Sequence, residues 1–137
     1  MPVNPELLGR SYPATAPVEV TAASVRAFAG AVLASDPDSP VAPPTYPIVV
    51  QQASLDALLA DPGTGIVLSR VVHGEQRFAT VRDLVVGDVL TGELTVTGLR
   101  ALGPATMLTA ETVIRDAAGE TVATATSVLV VGEEDAA

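Results

Sequence analysis

The sequence predicts an α+β domain in which two helices come first and an antiparallel sheet follows. Three observations carry that expectation. Apolar residues recur at helical spacing around Val25, a second and very apolar helical segment opens at Pro47, and from Ile66 onward the pattern switches to period two. Consecutive strands on short turns are antiparallel, because parallel neighbours need long crossovers. Curling such a sheet around the second helix is an economical way to bury both.

The elements follow in order. Residues 1–17 carry Pro at 2, 5, 13 and 17 and read as an extended lead-in, with Val18-Glu19-Val20 as a short strand. Thr21 is a candidate N-cap, its hydroxyl accepting from amides of the first helical turn. Val25, Phe28, Ala29, Val32 and Leu33 then define one apolar helix face. Residues 35–47 contain five prolines and form neither regular helix nor central strand, so an ordered loop is expected there. Pro47 suits the first position of the second helix, which runs to about Ala60 and closes at Asp61-Pro62-Gly63. Its opening, Ile48-Val49-Val50, is apolar on all sides, as an enclosed helix requires.

Four β-like segments are expected at 66–82, 89–101, 105–116 and 121–131, separated by Gly- and Asp-containing turns. Leu90, Gly92, Leu94, Val96 and Gly98 share one strand face, and Val122, Thr124, Thr126, Val128 and Val130 alternate with Ala123, Ala125, Ser127 and Leu129. The tail from Gly132 to Ala137 reads as a charged, mobile end. No internal repeat appears, and the whole of 1–137 is expected to be one domain.

Composition removes several function classes. The chain has 137 residues, 48% of them hydrophobic, enough for a core without staples, and only 3% are aromatic, so Val, Leu and Ala have to fill it. No cysteine is present, which excludes thiolate metal sites, catalytic thiols and disulfides. The lone histidine, His73, rules out a multi-histidine metal site within one chain, and neither a metal nor a cofactor is expected. The net charge is −9, with seven Arg and no Lys, the wrong sign for nucleic acid or an anionic membrane surface. With no secretory signal and no apolar stretch approaching roughly 20 residues, the expected location is cytoplasmic.

Two stretches carry a family likeness: Val71-Val72-His73-Gly74-Glu75-Gln76-Arg77-Phe78, and Asp83-Leu84-Val85-Val86-Gly87-Asp88-Val89-Leu90. Together with Phe28-Ala29, the proline-rich loop and the enclosed helix, they resemble the MaoC-like dehydratase N-terminal family. The member type most similar is the non-catalytic subunit of heterodimeric (3R)-hydroxyacyl-ACP dehydratases. The resemblance implies a hot-dog fold, dimers paired sheet to sheet, and hydro-lyase chemistry on acyl thioesters of CoA or acyl carrier protein in fatty acid metabolism. That reaction removes a weakly acidic proton and protonates a departing hydroxyl, so it needs an acid/base pair within hydrogen-bond reach. Catalytic members of the family carry Asp and His five residues apart in a Gly-Asp-x-Asn-Pro-x-His pattern. The matching stretch here is Ala34-Ser35-Asp36-Pro37-Asp38-Ser39-Pro40-Val41. Asp36 stands at the aspartate position, and Val41 replaces the histidine.

The residues weighed as substrate contacts are Thr45, Tyr46, His73, Gly74, Glu75 and Gln76. Simple alternation puts His73 and Glu75 on one strand face and Gln76 with Phe78 on the other. Same-face neighbours lie roughly 6.5–7 Å apart along a strand, too far for a direct dyad. A structural or interface duty for His73 is therefore preferred over catalysis. Asp36 before Pro37 reads first as turn chemistry, Glu75 and Arg77 as a local ion pair, and Thr45-Tyr46-Pro47 equally as a helix start or a ligand contact. The expected function is a non-catalytic, channel-forming subunit partnered by a chain with the dyad. The alternatives are an autonomous homodimeric hydro-lyase or thioesterase using Asp36, His73 or Glu75, and a non-enzymatic acyl-binding module.

Overall fold

The computed structural model describes residues 3–132, so the acidic tail expected beyond Gly132 lies outside the described residues, as do the first two of the lead-in. Strand β1 (Val18–Glu19) precedes helix α1 (Ala22–Ala31) and helix α2 (Ile48–Ala60), and four long strands follow: β2 (Val71–Thr80), β3 (Val89–Leu102), β4 (Ala105–Arg115) and β5 (Thr121–Val131). All pairings are antiparallel, in the order β1-β3-β4-β5-β2. Leu90, Leu94 and Val96 of β3, Leu108, Ala110 and Ile114 of β4, and Ala123, Ala125 and Leu129 of β5 are buried, as are Val50, Leu55 and Leu58 of α2. This is the hot-dog arrangement, a curled sheet with the apolar helix against it.

Local chemistry sets the elements. The Thr21 hydroxyl accepts from the Ser24 N–H at 3.0 Å and caps α1 as expected. The helix stops earlier than its apolar stripe suggests. Ala34 N donates to Ala29 O and Leu33 N to Gly30 O, and Leu33 sits at φ 58°, the left-handed residue of a helix-terminating Schellman turn. Val32 and Leu33 are therefore exposed, the latter by 89%, rather than part of the buried face. The first β-like segment is also shorter than the period-two pattern implies. Leu68–Arg70 make a single 3-10 turn, and the strand begins at Val71. Although β2 and β3 are consecutive, they do not form a hairpin: β5 and β4 lie between them.

The two edges of the sheet differ. Along β3 the lead-in runs as a guard strand, with Gly9 N to Val96 O, Tyr12 N to Leu94 O and Thr15 N to Gly92 O at 2.8–2.9 Å. Val3 and Leu7 bury themselves in the core from this segment, and the Tyr12 hydroxyl donates to Asp61 at 2.7 Å. On the far side β2 pairs only with β5, and among the described residues nothing covers its outer edge. An uncovered edge is a row of unpaired backbone groups ready to accept another chain.

Candidate functional site

Polar residues interrupt the core along one layer. The aliphatic residues fall into two clusters, one around Tyr46, Val50, Leu90 and Ile114, the other around Leu55, Leu58, Leu94 and Leu108. Between them each element contributes a small or polar residue: Gln51 and Ser54 from α2, Gly92 from β3, Thr112 from β4 and Ser127 from β5. At the open edge, Gln76 and His73 of β2 extend this seam to the surface. Gly92 is required by close approach, since a Cβ there would lie 3.0 Å from Thr112 Cγ2 and 3.1 Å from Val50 Cγ1.

The seam is fully hydrogen-bonded, as buried polar groups need to be. Ser54 Oγ donates to the Gln51 carbonyl at 2.7 Å and meets Thr112 Oγ1 at 2.8 Å. Gln51 Nε2 donates to the Ala125 carbonyl at 2.8 Å. Its Oε1 then accepts from Gln76 Nε2 at 2.7 Å, and Ser127 Oγ lies 2.9 Å away. The Ser127 hydroxyl also reaches Gln76 Oε1, and with one proton it donates to one of the two amide oxygens at a time. At the outer end His73 Nε2 lies 2.9 Å from Gln76 Oε1.

That last contact corrects the strand-face reading. A bulge between His73 and Glu75 inserts Gly74 as an unpaired residue: His73 opposes Leu129 and Glu75 opposes Val128. The extra residue reverses the alternation, so His73 shares a face with Gln76 and not with Glu75. Glu75 is left on the outer face in an exposed ion pair with Arg77 at 3.2 Å. Gln51, Ser54, Thr112 and Ser127 were not foreseen. The available signal was the pair Gln51 and Ser54, two polar residues three apart and so on one helix face, in a helix whose other polar residues are Gln52 and Asp56.

The other anticipated residues lie apart from the seam. Tyr46 is fully buried, its hydroxyl 2.8 Å from Ser24 Oγ and its ring edge-on to Phe28 with centroids 5.4 Å apart. That is a core position, which offers a ligand neither ring nor hydroxyl in this chain, and Thr45 beside it is exposed. Asp36 Oδ1 accepts from the Asp38 N–H at 3.2 Å, which is the turn role. Val41 bridges Val85 and stays partly exposed. Arg26 pairs with Asp38 across an open cleft of about 750 Å³ between α1 and this loop. At the β2–β3 connection Arg82 binds both oxygens of Asp88, at 2.8 and 3.1 Å. That pairing, with a bond from the Val85 N–H, holds the Asp88 carboxyl below the usual carboxylate range. No helix is long and apolar enough to cross a membrane, and no three His, Cys, Asp or Glu side chains converge on a metal position among the described residues.

Comparison with known proteins adds the lineage. The family model described as FAS1-like, dehydratase domain region, matches residues 6–125. A UPF0336 protein of Leifsonia xyli subsp. xyli is 51% identical, the match covering 98% of this chain and 99% of that protein. Another, from Thermobifida fusca, is 39% identical over 96% of this chain and 95% of its own length. Among solved structures, a C-terminally truncated HadBC (3R)-hydroxyacyl-ACP dehydratase complex from Mycobacterium tuberculosis superposes with TM-score 0.75 at 24% identity, covering 90% of this chain and 96% of that one. The (R)-hydratase of A. caviae involved in PHA biosynthesis gives TM-score 0.66 at 21% identity, over 89% and 94% of the two chains. At these identities the structural likeness speaks to the fold.

Proposed function

This chain belongs to the FAS1-like dehydratase-region family and is a relative of the UPF0336 proteins, and from that premise we propose that it is the non-catalytic subunit of an (R)-3-hydroxyacyl-thioester dehydratase or enoyl hydratase. The observation that carries this reading is the loop at 36–41. Asp36 is engaged in a turn with the Asp38 amide, and Val41, at the position of the family's histidine, has no proton to exchange. Acid/base chemistry at that loop then has to come from another chain. The uncovered edge of β2 supplies a place for such a chain to pair, and His73 and Gln76 lie at that boundary. A hot-dog neighbour named as a HadBC complex supports assembly of this kind. In this reading the ligand is an acyl thioester of CoA or acyl carrier protein, contacted by Thr45, His73, Gly74 and Gln76.

The alternative is a homodimer that acts alone through His73, favoured by a ring nitrogen, Nδ1, without a hydrogen bond among the described residues. Hydration of a trans-2-enoyl thioester separates the two. The chain alone is expected to be inactive and to gain activity with a partner chain bearing Asp and His at family spacing. That activity should vanish when the partner's dyad is mutated. Turnover by the chain alone, lost on substitution of His73, would overturn the subunit reading.

A further inference from the structure

We infer that Gln51 and Gln76 are positioning residues that fix which nitrogen of His73 carries its proton, leaving Nδ1 as a hydrogen-bond acceptor for an N–H or O–H group of an acyl-pantetheine ligand. The ligand half rests on the proposed function; the tautomer half does not. The argument starts at a group that cannot change roles. The Ala125 carbonyl only accepts, so the Gln51 amide has to present Nε2 to it at 2.8 Å. Gln51 Oε1 therefore faces Gln76, which can answer only with its own Nε2, at 2.7 Å. A second acceptor fixes the same orientation, because Gln76 Nε2 also lies 3.3 Å from the Arg77 carbonyl. Gln76 Oε1 is thereby turned outward to His73, and an amide oxygen only accepts. The nitrogen 2.9 Å from it, Nε2, has to be the protonated one. In the neutral ring Nδ1 then holds the lone pair.

Three things follow for the ligand. Nδ1 sits on an exposed side chain at the uncovered edge strand, where a ligand shared with a partner chain would pass. As an acceptor it suits the amide N–H groups of a pantetheine arm or the hydroxyl of a 3-hydroxyacyl group. It does not suit the thioester carbonyl, which is itself an acceptor. His73 in this state orients the ligand without polarising it.

The sequence makes the test direct, because His73 is the one imidazole in the chain. In a ¹⁵N-labelled sample at neutral pH, two-bond ¹H–¹⁵N correlations should show the Nε2–H form alone. The neutral Nδ1–H form should appear in Gln76→Leu, appear to a smaller extent in Gln51→Leu, where the Arg77 carbonyl and the Ser127 hydroxyl still hold Gln76, and stay absent in Gln76→Glu, which keeps an acceptor facing the ring. Gln76→Leu alters a half-buried edge residue, so it serves if the core variant fails to fold. An Nδ1–H signal in the unmodified chain, or identical tautomer mixtures in all forms, would overturn the assignment. The labelled chain, alone and with the dyad-bearing partner, is then titrated with enoyl- and 3-hydroxyacyl-pantetheine thioesters. A shift of the Nδ1 resonance with both identifies the amide donor, and a shift with the hydroxyacyl compound alone identifies the hydroxyl. Binding in Gln76→Leu should weaken by about tenfold, the worth of one hydrogen bond. Backbone resonances that move while Nδ1 stays fixed would refute the acceptor role. No movement anywhere would instead sink the acyl-thioester reading, with the tautomer still read from the free chain.

Discussion

Replacing Gln51 with glutamate changes one buried atom and turns the seam into a pH-sensitive core. The side chain keeps its shape, but the group facing the Ala125 carbonyl at 2.8 Å becomes an oxygen. Ionised, it would set a carboxylate against a carbonyl in a fully buried position; protonated, it can still donate to that carbonyl. Burial therefore favours the neutral acid, which for enclosed carboxyls raises the pKa by up to about three to five pH units. Gln76 Nε2 and Ser127 Oγ, at 2.7 and 2.9 Å, favour the ionised form and pull the other way, so the lower end is the better choice. Three pH units at 1.36 kcal/mol each amount to about 4 kcal/mol. That is most of the stability of a marginal domain, for which about 5–15 kcal/mol is usual. The sign follows from a pKa raised in the folded state. Q51E should match the parent below about pH 4.3, lose stability as pH rises to about 7, and change little beyond. Urea unfolding of parent and variant from pH 4 to 8 measures the difference, with Gln51→Leu as a control whose offset does not vary with pH. A Q51E curve parallel to the parent within about 0.5 kcal/mol across that range would refute the buried-seam argument.

Other predictions test separate features. Gly92→Ala inserts a methyl 3.0 Å from Thr112 Cγ2 and 3.1 Å from Val50 Cγ1, and should cost about 1–3 kcal/mol by chemical denaturation. A neutral result would mean α2 can withdraw from the sheet freely. Leu33→Gly relieves a left-handed residue at φ 58° whose side chain is already exposed. The relief of about 1–2 kcal/mol less the glycine's entropy leaves a gain of roughly 0.5–1 kcal/mol, and a lower Tm would contradict it. Asp88→Asn weakens the clasp to Arg82 and the bond from the Val85 N–H. Because the Asp88 carboxyl is held below its usual range, its contribution is present above about pH 4 and is lost as pH falls through the lower, folded value. The variant should lose about 1 kcal/mol near neutrality, modest because Arg82 is part-exposed. Parent and variant should converge in acid, and a gap that widens there would reverse the sign.

Much of the fold was legible because it rests on local rules. Thr21 caps α1 through its own hydroxyl, Pro47 leads into α2, and the inward faces of β5 and of β3 as far as Val96 follow from alternation. Beyond Val96 a bulge shifts the register, so Gly98, expected on that inward face, opposes Thr109 on the outer one. The departures arise where a residue answers to something distant. Val32 and Leu33 continue an apolar stripe in sequence, yet the Schellman turn ends the helix at Ala31 and points them outward. Tyr46 reads equally as part of a helix start or as a ligand contact, yet Ser24 and Phe28, some twenty residues upstream, complete its burial. The bulge at Gly74 is the sharpest case. Glycine in a strand signals one only weakly, and which residue goes unpaired is decided by β5, some fifty residues later in the chain. A single inserted residue then exchanges the faces of everything upstream of it, which is why His73 looked like a companion of Glu75.

The seam also bears on why such a layer exists at all. A core filled by Val, Leu and Ala gains nothing in transfer free energy from Gln51, Ser54, Thr112 and Ser127. Replacing both partners of a buried hydrogen bond by apolar groups of similar shape is often neutral or stabilising. What the amides supply is direction. Each has two distinguishable ends, so an orientation imposed at the Ala125 carbonyl passes through Gln51 and Gln76 without loss to a ring at the sheet edge. An aliphatic layer would hold α2 against the sheet equally well and carry no such information. The tautomer of His73 depends on the whole chain of amides, and it is expressed at the uncovered edge of the sheet. On that ground the seam serves the edge rather than the core.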